Sequence, residues 1–117
     1  MGDLSKNFSR SEFKCSCGCG YDDVSLELVS VLQKLREVFN APVTINSACR
    51  CKGWNKEVGG AEKSQHLLGT AADIVVSDVS PALVYQYLDR SYPESYGIGK
   101  YKSFTHIDVR QRRGRWG

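Results

Sequence analysis

Between Leu26 and Phe39 apolar residues recur every three or four positions, through Val29, Leu32, Leu35 and Val38. That spacing predicts an amphipathic helix over 25–39, with Ser25 placed to cap it. Asn40-Ala41-Pro42 ends it, because proline disfavours helical geometry at the residue before it. The period then shortens. Val43-Thr44-Ile45-Asn46 is rich in β-branched residues and predicts a short strand. Gly53 to Val58 predicts a short helix closed by Gly59-Gly60, followed by a loop over 59–70 and a buried strand from Ala71 to Val76. Ser80-Pro81 opens a further helix to about Asp89, with proline at its first position and Leu83, Tyr87 and Leu88 among its apolar residues. Tyr96–Tyr101 and Phe104–Val109 predict two antiparallel strands joined at Lys102-Ser103. Alternation puts Phe104, His106, Asp108 and Arg110 on one face of the second strand, and Thr105, Ile107 and Val109 on the other. Residues 1–24 show no such period. They predict an irregular, cysteine-bearing segment anchored by Phe8 and Phe13.

Composition adds bounds. The 117 residues are 41% hydrophobic and 25% charged, which suits one soluble domain over 1–117 with enough apolar surface for a core. No apolar run approaches the roughly 18 residues of a membrane span. The N-terminus lacks the apolar stretch of a signal peptide. The expectation is a protein made in the cytoplasm and brought to its place of action by another route. Net charge is +3, but Arg110, Arg112, Arg113 and Arg115 crowd the C-terminus. They form either a solvated tail or a face toward an anionic polymer.

Five cysteines fall at Cys15, Cys17, Cys19, Cys49 and Cys51. The odd count does not read as a finished disulfide framework, and reduced thiols are the default. Cys15, Cys17 and Cys19 have the chemistry to hold a structural zinc with Cys49 or Cys51 if the fold gathers them. The spacing is not that of a zinc ribbon, so a second zinc is the lesser alternative.

The chain has only two histidines, His66 and His106. His66 precedes Asp73 by seven residues across Gly69, and Asp73 leads the buried strand, where a carboxylate needs a partner. His66, Asp73 and His106 together make a three-ligand zinc site with a fourth place for water. By spacing alone, histidines satisfied within the fold are the competing account.

Ser64-x-His66-x-x-Gly69-x-Ala71-x-Asp73 resembles the S-x-H-x-x-G-x-A-x-D motif of the M15 zinc peptidases. These include D-Ala-D-Ala carboxypeptidases and L-alanyl-D-glutamate endopeptidases of phage endolysins, and share their fold with the hedgehog signalling domain. Asn7-Phe8-Ser9-x-x-Glu12-Phe13, Cys15-x-Cys17-Gly18-Cys19, the stretch from Asn46 to Ala61, Gly97-Ile98-Gly99 and Phe104-x-His106-x-Asp108-x-Arg110 extend the likeness to the small phage-associated branch. It implies an α+β fold, a small, mainly antiparallel sheet with helices packed on one side. It implies one catalytic Zn2+ on His66, Asp73 and His106, with Arg50 facing the metal to bind a substrate carboxylate or carbonyl oxygen. It implies a monomer acting on peptidoglycan stem peptides after release to the cell wall, with no nucleic acid and no membrane insertion. L-Ala-D-Glu endopeptidase stands first and D-Ala-D-Ala carboxypeptidase second. Many M15 enzymes carry an acidic general base three residues before the last histidine, where this chain has Ser103. Asp108 is then the first candidate base, or instead orients His106 or Arg50; Glu57 and Glu62 are weaker candidates, and the metal with Arg50 alone is a third option. Ser64 and Gln65 are placed to bond substrate backbone or Asp73, or Ser64 to cap its turn. Trp54 and Tyr101 are candidate cleft aromatics. Two other functions compete: an inactive zinc-containing module that binds cell wall or protein, and a nucleic-acid binder using Cys15–Cys19 and the arginine tail.

Overall fold

Strand alternation decides which side of this molecule is core and which side carries chemistry. A computed structural model describes residues 2–117; Met1, part of the stretch read for a signal peptide, lies outside them. The order is α1 (Leu26–Phe39), β1 (Val43–Ser47), α2 (Lys52–Glu57), β2 (Ala71–Val76), α3 (Pro81–Ser91), β3 (Gly97–Lys100), β4 (Thr105–Asp108) and β5 (Gly114–Trp116). Single turns of 3-10 helix lie at Arg10–Phe13 and Gln65–Leu68. The strands form one sheet in the order β1-β2-β4-β3-β5. Every pairing is antiparallel except β3 with β5. The fold is therefore α+β, with a mixed but mainly antiparallel sheet.

On β2, Ala72, Ile74 and Val76 join the core with Ile98 and Ile107, as period-two alternation requires. Leu28, Leu32 and Leu35 of α1, and Val84 and Leu88 of α3, pack on that face. Phe8 and Phe13 also lie in this core, their rings 6.0 Å apart. The helix stripes are rotated slightly from the sequence expectation. Leu26, Val38 and Leu83 are exposed, while Leu28, Val31 and Val84 are buried. Among the described α-helices, α1 and α3 cover the core face. The short α2 stands apart from them, next to the turn that carries His66.

Local caps explain the boundaries. The Ser25 and Ser80 hydroxyls accept from Leu28 N and Leu83 N, and Pro81 occupies the first turn of α3. At Gly69 the chain turns back with φ 71, a left-handed conformation that also brings its backbone against Asp23. The arginine-rich C-terminus departs most from expectation. Residues 114–116 form β5, and the Arg115 side chain is largely enclosed rather than solvated. Its guanidinium donates to Asp89 at 2.6 Å and to the carbonyls of Tyr92, Ser95, Tyr96 and Gly114. No helix among the described residues is long and apolar enough to cross a membrane.

Candidate metal centre and substrate cleft

One transverse row of residues crosses the sheet on the face away from α1 and α3. Ser47 pairs with Asp73, Asp73 with His106, His106 with Gly99, and Gly99 with Trp116. Directly opposed residues project to the same side with Cβ atoms some 4.5–5.5 Å apart. Register alone thus sets a carboxylate beside an imidazole. An irregularity between Ile45 and Ser47 brings Ser47 into the row.

His66 reaches the row from its 3-10 turn. The Ser64 hydroxyl caps that turn by accepting from His66 N at 3.1 Å, and Arg50 N donates to His66 O at 3.0 Å. His66 Nδ1 lies 2.7 Å from the Ala48 carbonyl, which only accepts, so Nδ1 carries the proton. Its Nε2 lone pair then faces Asp73 Oδ1 at 3.4 Å. His106 presents Nδ1 to the same Oδ1 at 2.9 Å and Nε2 to Asp108 Oδ2 at 2.7 Å. The two rings meet edge to face, 5.3 Å apart. His66, Asp73 and His106 retain only 3%, 9% and 8% exposure.

This donor set fits zinc. The three candidate ligand atoms lie within 4.8 Å of one another. Tetrahedral zinc, with bonds of roughly 2.0–2.2 Å, needs ligand atoms roughly 3.3–3.5 Å apart, so small side-chain adjustments suffice. Each histidine also gives its second nitrogen to an acceptor, Ala48 O or Asp108, which fixes ring and tautomer as metal-binding histidines require.

The charges point the same way. Burial pushes the Asp73 carboxyl up, but the bond from His106 and the nearby imidazoles outweigh it and hold the group well below the usual carboxylate range. Burial opposes charge on His106, yet bonds to Asp108 and Asp73 raise its pKa above the ordinary histidine value. Burial likewise pushes Asp108 up, and His106 and Arg110 bring it down to about 2. Two carboxylates facing one imidazole favour a cation between them, either a proton or a metal.

Arg50 stands next to the row. Its Nε donates to Ser47 Oγ at 3.1 Å, Nη1 to Asn55 Oδ1 at 3.2 Å and Nη2 to Asp73 Oδ2 at 3.3 Å. A Cβ at position 60 would collide with Asn55 and Arg50, so Gly60 is required where it stands. Asn55 and Ser47 had no assigned role in the sequence. Their signal was the Asn46–Ala61 stretch, but only the fold shows that both hold the guanidinium.

A cleft of about 610 Å³ opens over the row. Arg50, Lys63, Ser64, Gln65 and Arg110 line it with the three candidate ligands, and Tyr101, Phe104 and Trp116 form an aromatic wall. Tyr101 stacks on Phe104 at 4.4 Å, and its hydroxyl accepts from Trp116 Nε1 at 2.9 Å. Trp116 was hidden in a stretch that reads as basic tail.

Several expectations change here. Asp108 is fully buried and does not line the cleft. It touches His106 directly, and Arg110 clamps it through Nε and Nη2 at 2.7 Å. Ser64 and Gln65 line the cleft without bonding Asp73; Gln65 Oε1 accepts from Thr70 Oγ1. Trp54 faces a different hollow with Cys17, Cys51 and Glu57. Glu62 lies beside Lys52 and Lys56 in another, and Ser103 is exposed at the β3–β4 turn. Among the described residues, Asp73 is the only carboxylate lining the cleft.

The family model described as Peptidase M15 matches residues 6–108, which include the three candidate ligands and Arg50 and stop before β5. No curated protein matches the chain.

Proposed function

The chain belongs to the peptidase M15 family, and from that premise we propose that it hydrolyses an amide bond in the stem peptides of peptidoglycan, with zinc held by His66, Asp73 and His106. The carrying observation is the convergence of those three side chains at the floor of a cleft that Arg50 also lines. Bound there, zinc would supply a Lewis acid that polarises a carbonyl and lowers the pKa of water toward about 7.

The chain's own residues do the rest. Arg50, held on three sides, keeps N–H groups for a substrate carboxylate or the oxygen that gains charge during attack. Asp108 orients His106 and neutralises Arg110; it is not the proton acceptor. Ser64 and Gln65 offer polar groups to the peptide backbone, and the aromatic wall confines it. Lys63 adds positive charge, which suits a stem peptide bearing free carboxylates. Among the described residues no cleft carboxylate is free to act as general base, so turnover runs without a contribution that typically reaches about 100- to 10,000-fold.

We place the L-Ala–D-Glu bond first and terminal D-Ala release second, with action at the cell wall by a monomer. One observation favours a second reading, a zinc-containing binding module: the absence, among the described residues, of a cleft carboxylate other than Asp73. Mass spectrometry of muropeptides after incubation with the zinc-loaded protein decides. New amino termini at D-Glu are expected from wild type, and none from His66→Ala. If the two proteins are equally inert at neutral and mildly alkaline pH, hydrolysis is wrong and binding is left.

A further inference from the structure

We propose that Cys15, Cys17, Cys19 and Cys51 form a second, structural zinc site that ties the N-terminal segment to the root of the substrate cleft. All five cysteines are free thiols, and these four sulfurs lie within 4.8 Å of one another. Cys15 Sγ is 3.5 Å from Cys17 Sγ and 3.9 Å from Cys51 Sγ, and Cys17 Sγ is 3.6 Å from Cys51 Sγ. These distances are far too long for disulfide bonds. Tetrahedral zinc, with zinc–sulfur bonds of about 2.3 Å, separates its sulfurs by roughly 3.8 Å. Metal-free thiols have no comparable reason to gather four at that spacing.

The backbone around the sulfurs is also prepared. Three cysteines come from one short loop, where Gly18 and Gly20 take φ 87 and 91 and let alternate residues converge. Cys51 N donates to Cys15 Sγ at 3.4 Å, and Trp54 N to Cys51 Sγ at 3.5 Å. Such N–H groups stabilise the thiolates that remain when metal binding sends the thiol protons to solvent. Of the two partners the sequence allowed, the fold chooses Cys51; Cys49 is buried in the hydrophobic core.

The site bridges 36 residues of sequence. It fastens residues 15–19 to the position after Arg50, next to the backbone bond from Cys49 N to Phe13 O. Its role is positioning: it holds the segment from which Arg50 reaches the cleft. The inference does not rest on peptidase activity.

Cobalt(II) substitution of the full chain under reducing conditions tests it, with zinc content measured in parallel. Wild type should show an intense thiolate-to-cobalt charge-transfer absorption. The band should persist in His66→Ala and vanish in Cys17→Ser/Cys19→Ser. Zinc should be two per chain in wild type and one in each variant. If only the histidine site fails, wild type and His66→Ala both carry one zinc and keep the band. Absence of the band from cobalt-loaded wild type overturns the proposal, and needs no variant to fold. A band lost in His66→Ala but kept in the cysteine variant overturns it equally.

Discussion

Asp108 has no solvent exposure and accepts from His106 Nε2, from the Arg110 side chain and from two backbone N–H groups. A carboxylate so occupied sets the orientation of an imidazole. Asp108→Asn should therefore weaken zinc affinity and peptidase activity together, each by about 10–100-fold. A general base would instead lose activity with zinc affinity intact; zinc titration beside turnover separates the two. The sign of the acid dependence follows from the same contacts. Burial raises the Asp108 carboxyl, but His106 and Arg110 lower it further, to about 2 against roughly 3.9 in an unfolded chain. Its stabilisation is present above the unfolded value and is lost as pH falls toward about 2. Urea unfolding of metal-free protein should show that loss in wild type and less of it in Asp108→Asn.

At the scale of elements, the Gly97-Ile98-Gly99 strand is built around what lies over it. A side chain at position 97 would strike Asp108 and Arg110, and one at 99 would strike the Trp116 indole. Gly99→Ala should cost about 1–3 kcal/mol by overpacking and loosen β5 from β3. Gly53 in α2 is the counterexample, exposed with open space where a Cβ would stand. Gly53→Ala should stabilise by roughly 0.5 kcal/mol by restricting the unfolded chain. Opposite signs in denaturant midpoints check the pair. The Trp116 ring lies 5.2 Å from that of His106, tilted by 45°, so its fluorescence should change in Gly99→Ala and not in Gly53→Ala.

In the whole molecule, the C-terminal arginines divide by what they touch. Arg115 closes the β5 edge by joining α3 at Asp89 to the carbonyls before β3. Arg115→Ala leaves several of those acceptors without a partner and should destabilise by about 3 kcal/mol. Arg112 is exposed, and Arg112→Ala should stay within about 0.5 kcal/mol. Thermal or urea unfolding compares them. A tail serving only to bind an anionic polymer would show no such difference.

The sequence by itself determined most of the elements and the candidate ligand types. The periods of α1 and α3 were legible because each buries one face, β2 because its apolar run is buried almost throughout, and caps at Ser25 and Ser80-Pro81 marked where the two helices begin. His66, Asp73 and His106 were legible because so few residue types bind zinc and the motif around them is specific. β5 was not, since three residues paired at a sheet edge carry too short a pattern and Arg115 reads as solvated until its carbonyl partners are known. Nor were Asn55 as a holder of Arg50, Trp116 as cleft wall, or Cys51 rather than Cys49 as the fourth thiol. Only tertiary structure decided these, because strand register and chain reversal, not spacing along the chain, set which side chains lie within a few ångströms of one another.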